Sequence, residues 1–115
     1  MQDVVSVKQF LDKEKLALLF SVATRFQDDP ERNYPQTLAH KIIATLFYEP
    51  STRTRFSFEA AIYKLGGQII STENAAEFSS AIKGESLQDT IRTINGYADG
   101  IVMRHPQAGS ARLAA

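Results

Sequence analysis

The densest chemical signal in the chain is Ser51-Thr52-Arg53-Thr54-Arg55. Three hydroxyls and two guanidinium groups follow an apolar run and a Tyr48-Glu49-Pro50 breaker, where a helix is expected to begin. A helix N-terminus presents unpaired N–H donors and about half a unit of positive charge. Ser51, Thr52 and Thr54 add hydroxyl donors, and Arg53 adds a forked cation suited to phosphate oxygens. Together they predict an anion site, with phosphate as the natural occupant. The plainer alternative is that Ser51 only caps the helix and both arginines are solvated. Arg53 and Arg55 are two residues apart and so point in different directions on a helix. Arg53 is assigned to the ligand and Arg55 to structure.

Two further segments invite attention. Arg104 ends Ile101-Val102-Met103-Arg104 and is followed by His105-Pro106. On position alone it either faces a ligand or pairs with a loop carboxylate. The stretch Phe78 to Ser86 contains Ser79, Ser80 and Lys83-Gly84 within a long polar loop. Loops of that length are commonly functional, although a solvated lysine fits as well. His40 and His105 lie in different elements and are read as structural, with no metal cluster.

The elements that must position these residues can be read from periodicity. Ser6 to Gln9 has capping-box spacing. A helix is expected from Asp12, with Leu16, Leu19, Phe20, Ala23 and Phe26 on one face and Leu11 stapled to Leu16. Asp28 to Gln36, with Pro30 and Pro35, is a loop. Lys41 to Phe47 is an apolar, β-branched run that reads as a strand buried on both faces. A helix from Ser51 to Leu65, with Phe58, Ala61, Ile62 and Leu65 inward, stops at Gly66-Gly67. Gln68 to Ser71 is a second strand, and Thr72 to Glu85 a loop. A helix near Ser86 carries Leu87, Ile91, Ile94 and Ala98 on one face. Ile101 to Arg104 is a third strand, and Ser110 opens a last helix. This alternation predicts an α/β fold, a three-layer parallel sheet flanked by helices. Ligands of such sheets sit beyond the carboxyl ends of the strands, where residues 48–55, 72–85 and 104–107 fall.

Composition narrows the partners. The 115 residues include 13 Lys plus Arg and 13 Asp plus Glu, for a formal net charge of zero. No basic surplus is available for nucleic acid or an anionic membrane. Cysteine is absent, which excludes disulfides, Fe–S clusters and thiol nucleophiles and suits a cytoplasmic location. No apolar run approaches the ~20 residues of a membrane span, and MQDVVSVKQF lacks the pattern of a signal peptide.

These features in this order resemble the carbamoyltransferase family. Phe47-Tyr48-Glu49-Pro50-Ser51-Thr52-Arg53-Thr54-Arg55 with Phe56-Ser57-Phe58-Glu59 is similar to its carbamoyl-phosphate signature. The likeness continues through Lys64-Leu65-Gly66-Gly67, Lys83 to Thr90 and Tyr97-Ala98-Asp99. Lys83-Gly84-Glu85-Ser86 and Val102 to Pro106 resemble the aspartate branch more than the ornithine branch.

The resemblance implies transfer of a carbamoyl group from carbamoyl phosphate to L-aspartate, giving N-carbamoyl-L-aspartate and phosphate in pyrimidine synthesis. It implies that Ser51, Thr52, Arg53 and Thr54 bind the phosphate and that Thr54 and Arg104 reach the carbonyl oxygen. Ser79 and Lys83 would enter a neighbouring subunit's site in a homotrimer, with Glu49 and Arg55 as supports. A regulatory chain or another pathway enzyme is a further candidate partner. No metal or redox cofactor is implied. Residues 1–115 then correspond to the carbamoyl-phosphate-binding domain, incomplete at its C-terminus. The family's aspartate-binding domain and its His-Pro-Thr-Gln-type segment are not in the sequence. The expectations that remain open are another carbamoyltransferase, a phosphate-binding chain without turnover, and a remnant that assembles with full-length subunits. By itself the chain is expected to be inactive.

Overall fold

The structure, a computed structural model, describes residues 3–72, 84 and 86–115. The chain forms two compact units, one reaching to Tyr34 and the other spanning Pro35–Ala114.

In the first unit a 3₁₀ turn, Val7–Phe10, is closed by the expected capping box between Ser6 and Gln9. Helix α1, Lys13–Gln27, is capped by the Asp12 side chain, which accepts from the Glu14 N–H. Phe26 meets Tyr34, with ring centroids 5.8 Å apart. The expected apolar face is otherwise not buried: Leu16, Leu19, Phe20 and Ala23 are exposed. A unit of this size has too little chain to cover a helix face. The staple between Leu11 and Leu16 does not form either. Leu11 ends the 3₁₀ turn, its N–H bonding to the Lys8 carbonyl, and is 78% exposed.

The second unit is built on three parallel strands in the order β2-β1-β3: β1 Ile42–Phe47, β2 Gln68–Thr72 and β3 Gly100–Arg104. The unalternating IIATLF run takes the centre, as a strand flanked by two others should. Alternation along β1 assigns its side chains to two layers. Ala44, Leu46 and Tyr48 pack with Ile91, Leu87 and Ile94 of helix α3, Leu87–Ile94, and with Ile101 and Met103 of β3. Thr45 points the other way, towards helix α2, Thr52–Lys64. A last short helix, α4, covers Ser110–Ala114.

Two features of α2 matter for the site. It stops where Gly66 adopts φ +84°, a conformation that disfavours any side chain, after Leu65 returns its N–H to Ala61. Its expected inner face is only partly correct. Ile62 is buried, but Phe58 is 46% exposed and Ala61 is exposed as well. The stripe turned to the sheet runs through Arg55, Glu59 and Ile62 instead, so two charges share the inner face with Ile62.

Phe47 is 1% exposed and is the largest fully buried side chain described. A Phe47→Ala substitution is expected to destabilise the second unit by about 3–5 kcal/mol. Natural domains have only about 5–15 kcal/mol in total. Urea denaturation followed by circular dichroism should therefore show a much lower midpoint; an unchanged midpoint would mean that Phe47 is not a core residue.

Candidate anion-binding site

Strands β1 and β3 run side by side, with Phe47 opposite Arg104. The Tyr48 N–H extends the pairing by one bond to the Arg104 carbonyl, 2.9 Å. Both strands therefore end at the same level, and the chain leaving β1 turns through Glu49 and Pro50 into α2. This brings the start of α2 and the side chain of Arg104 to the carboxyl edge of the sheet, where parallel α/β folds bind ligands.

The start of α2 differs from those of the 3₁₀ turn, α1 and α3. Ser6, Asp12 and Ser86 each accept a backbone N–H of their own helix. Ser51 occupies the cap position of α2 but makes no such bond. Among the described residues, the side chains of Ser51, Thr52, Arg53 and Thr54 have no hydrogen-bond or ion-pair partner in the protein. Thr52 and Arg53 are exposed, while Ser51 and Thr54 are half-buried. The first turn thus offers backbone N–H groups, three hydroxyls and one guanidinium to the solvent side.

Arg104 donates from Nε to Glu49 Oε1 at 2.6 Å, so the loop-carboxylate pairing that the sequence left open is present. That bond uses one of the guanidinium's five N–H groups and fixes its plane. Arg55 is turned away from this edge, donating from Nε to Glu59 Oε1 at 2.9 Å, in line with its structural assignment. Ser79 and Lys83 lie outside the described residues. His105 lies beside Tyr48, ring centroids 4.7 Å apart, and its Nδ1 accepts the Gln107 N–H and contacts the Ser110 hydroxyl. That is a structural placement.

Sequence reasoning missed Glu59, Thr45 and Ser71, whose side chains converge with Arg55 between α2 and the sheet. The one available signal was the four-residue spacing of Arg55 and Glu59, which permits an ion pair on a helix.

Among the described residues, two carboxyls are held below their ordinary range. Burial alone would raise Glu59, but donors from Ser71, Thr45 and Arg55 outweigh it. Asp99 is lowered first by the Ile42 N–H and then by Lys41 at 3.2 Å. A carboxyl lowered on folding stabilises the protein above its unfolded pKa, and the contribution disappears as pH falls through the folded value. The melting temperature should hold near neutrality and fall below about pH 4. A chain carrying both Glu59→Gln and Asp99→Asn should show a shallower acid slope in a pH series of thermal melts. An equal slope would mean that neither carboxyl is linked to folding.

Among the described residues no helix is long and apolar enough to cross a membrane, and no cluster of His, Cys, Asp or Glu has metal-binding geometry.

Comparison with known proteins agrees with the arrangement. Residues 2–115 match the aspartate/ornithine carbamoyltransferase, carbamoyl-P binding domain. A chloroplastic aspartate carbamoyltransferase of Pisum sativum is 56% identical over 117 residues, covering 100% of this chain and 30% of the relative. The catalytic subunit of the Methanopyrus kandleri enzyme is 51% identical, over 99% of this chain and 36% of the relative. The aspartate transcarbamoylase of Trypanosoma cruzi, solved with carbamoyl phosphate and aspartate, superposes with a TM-score of 0.85 at 35% identity. The match covers 98% of this chain and 35% of that one. The M. jannaschii catalytic subunit gives 0.83 at 46% identity, over 99% of this chain and 37% of that one. The chain spans about a third of the length of these relatives. With the parallel sheet, the uncapped start of α2 and Arg104 at the same edge, these matches place the chain in the aspartate/ornithine carbamoyltransferase family, as its carbamoyl-phosphate-binding domain.

Proposed function

We propose that the chain supplies the carbamoyl-phosphate half of an aspartate carbamoyltransferase. The observation that carries this reading is the partnerless Ser51-Thr52-Arg53-Thr54 set at the uncapped start of α2, beside Arg104. Ser51, Thr52, Arg53 and Thr54 bind the phosphate. Thr54 and Arg104 bind the carbonyl oxygen, with Glu49 holding Arg104 in plane.

In the reaction the α-amine of L-aspartate forms a C–N bond to the carbamoyl carbon. The C–O bond to phosphate breaks, phosphate leaves with the electron pair, and a proton leaves the nitrogen. Negative charge grows on the carbonyl oxygen and on the leaving group. Fixed donors at both places lower the barrier without needing to reorganise. Side chains supply all the positive charge in this scheme, so the proposal includes no cofactor. The products are N-carbamoyl-L-aspartate and phosphate, a step of pyrimidine synthesis.

The same reading includes a homotrimer in which Ser79 and Lys83 complete the neighbouring subunit's site, and a cytoplasmic location. The chloroplastic names of the plant relatives make the plastid the alternative compartment. The aspartate branch is favoured over the ornithine branch by the names of the relatives, several of them above 50% identity.

The test is a titration of isotope-labelled chain with carbamoyl phosphate, and separately with inorganic phosphate, followed by amide shifts. Perturbation centred on Ser51 to Arg55 and Arg104 is expected. Saturable binding centred elsewhere, or none at all, would overturn the assignment.

A further inference from the structure

The anion donors sit on the first turn of α2, yet the apolar anchor of that helix is at its far end. Ile62 is its only buried residue, ten positions beyond Thr52. Phe58, one turn nearer, and Ala61, next to Ile62, are exposed and do not fix the helix. What ties the amino-terminal half to the sheet is a polar cluster. Glu59 Oε1 accepts from Thr45 Oγ1 at 2.8 Å, from Ser71 Oγ at 2.8 Å and from Arg55 Nε at 2.9 Å. Thr45 and Ser71 also approach each other at 2.8 Å, and Arg55 Nε lies 3.1 Å from Ser71 Oγ. Thr45 is on the central strand and Ser71 is its register partner on β2. Three donors from three elements therefore converge on one carboxylate oxygen.

For stability alone, such a charged cluster is a weak choice. An ion pair removed from water is often matched or bettered by apolar side chains of similar volume. A hydrogen-bonded cluster differs in being directional: it fixes rotation and height as well as distance. It also disposes of a charge. Arg55 lies at the positive end of a helix with no acidic residue in its first turn. Turned inward and neutralised by Glu59, it leaves Arg53 as the cation of the exposed turn.

We propose that Glu59 is a positioning residue for the anion site: through Thr45, Ser71 and Arg55 it sets the angle and height at which the first turn of α2 meets its ligand. The inference rests on the anion-site reading given above. Its predicted signature is a loss of affinity in a chain that remains folded, because small misplacement of binding groups is costly.

The experiment measures the Kd of inorganic phosphate and of carbamoyl phosphate on the full 115-residue chain, by amide-shift titration with a thermal melt for each variant. Glu59→Ala is expected to weaken both ligands roughly tenfold. Thr45→Val and Ser71→Ala are expected to weaken them less, and Thr45→Ser to restore wild-type affinity. Thr45→Val added to Glu59→Ala should cause no further loss, since both act through one cluster. A folded Glu59→Ala chain with wild-type Kd and a lowered melting temperature would show a merely structural role and overturn the proposal. If Glu59→Ala does not fold, Thr45→Val and Ser71→Ala decide, and unchanged Kd in both overturns it. Arg53→Ala separates the two levels of the argument. Wild-type binding that is lost in Arg53→Ala but indifferent to the cluster rejects positioning alone. A wild-type chain that binds neither ligand rejects the anion site, and this inference with it.

Discussion

An Arg53→Ala chain is expected to bind inorganic phosphate and carbamoyl phosphate roughly 10–100-fold more weakly than wild type, while unfolding at the same denaturant concentration. The affinity loss follows from removing a charge-assisted contact, about 1.5–3 kcal/mol where the ligand is desolvated. Each ~1.4 kcal/mol is a factor of ten in Kd. Stability is unaffected because Arg53 is exposed and has no partner in the protein to leave behind. Surface changes of that kind usually stay within about 0.5 kcal/mol. Ser51 sharpens the contrast. Its side chain does not cap α2, so Ser51→Ala should hardly alter stability, whereas Ser86→Ala removes a bond to the Asp89 N–H and should cost about 1 kcal/mol. Isothermal titration of each variant beside its urea melt checks both halves. Normal phosphate affinity in Arg53→Ala would remove this residue from the site.

The parts of the fold that were legible in the sequence are those decided by local chemistry. Ile42–Phe47 is apolar on both faces because it is the middle strand, and the middle strand is where such a run belongs. Leu87, Ile91 and Ile94 repeat at helical spacing because they pack on one side of that strand; Ala98, expected on the same helix, packs there from beyond its end at Ile94. Gly66 marks a helix end because its φ suits glycine. The uncapped Ser51 was less accessible: its residue type signals a cap, but in the fold the hydroxyl is not used as one.

What the sequence hid depends on residues far apart. Arg104 and Glu49 are 55 positions apart, and pattern alone left their pairing an even choice. Thr45 and Ser71 look like ordinary strand residues, and only the parallel register brings them under Glu59. The inner face of α2 was misread for the same reason. Periodicity favours Phe58 and Ala61, but the carboxylate finds its partners on the sheet and turns the helix towards Arg55 and Glu59. The face of α1 was misread differently. The pattern of a helix says which side would be buried if something covered it, and within its own unit little does.

The 115-residue chain alone is expected to form no measurable carbamoyl aspartate. As proposed above, the carboxyl edge of the sheet supplies donors for a phosphate and for one carbonyl oxygen. L-aspartate brings two further carboxylates, which need convergent positive charge of their own. The candidate cations are Arg53, Arg104 and Lys83. In the reading proposed above, Arg53 is taken up by the phosphate. Arg104 gives one N–H to Glu49, and in the same reading the others serve the carbonyl oxygen and Lys83 serves a neighbouring site of the trimer. With those assignments, no cation of this set remains to hold the amine in line with the carbamoyl carbon. That orientation is worth about 7–11 kcal/mol of barrier in well-aligned reactions, a rate factor of roughly 10⁵–10⁸. Arg104, with its side chain 44% exposed, also faces water, which weakens its pull on the carbonyl oxygen. The check is a product assay on purified chain with carbamoyl phosphate and aspartate at saturation, beside a binding measurement on the same sample. Phosphate bound and no product is the expected pair of results. Turnover approaching that of a full-length relative would mean that the aspartate site is contained within these residues, and the division between a phosphate half and an aspartate half would have to be given up.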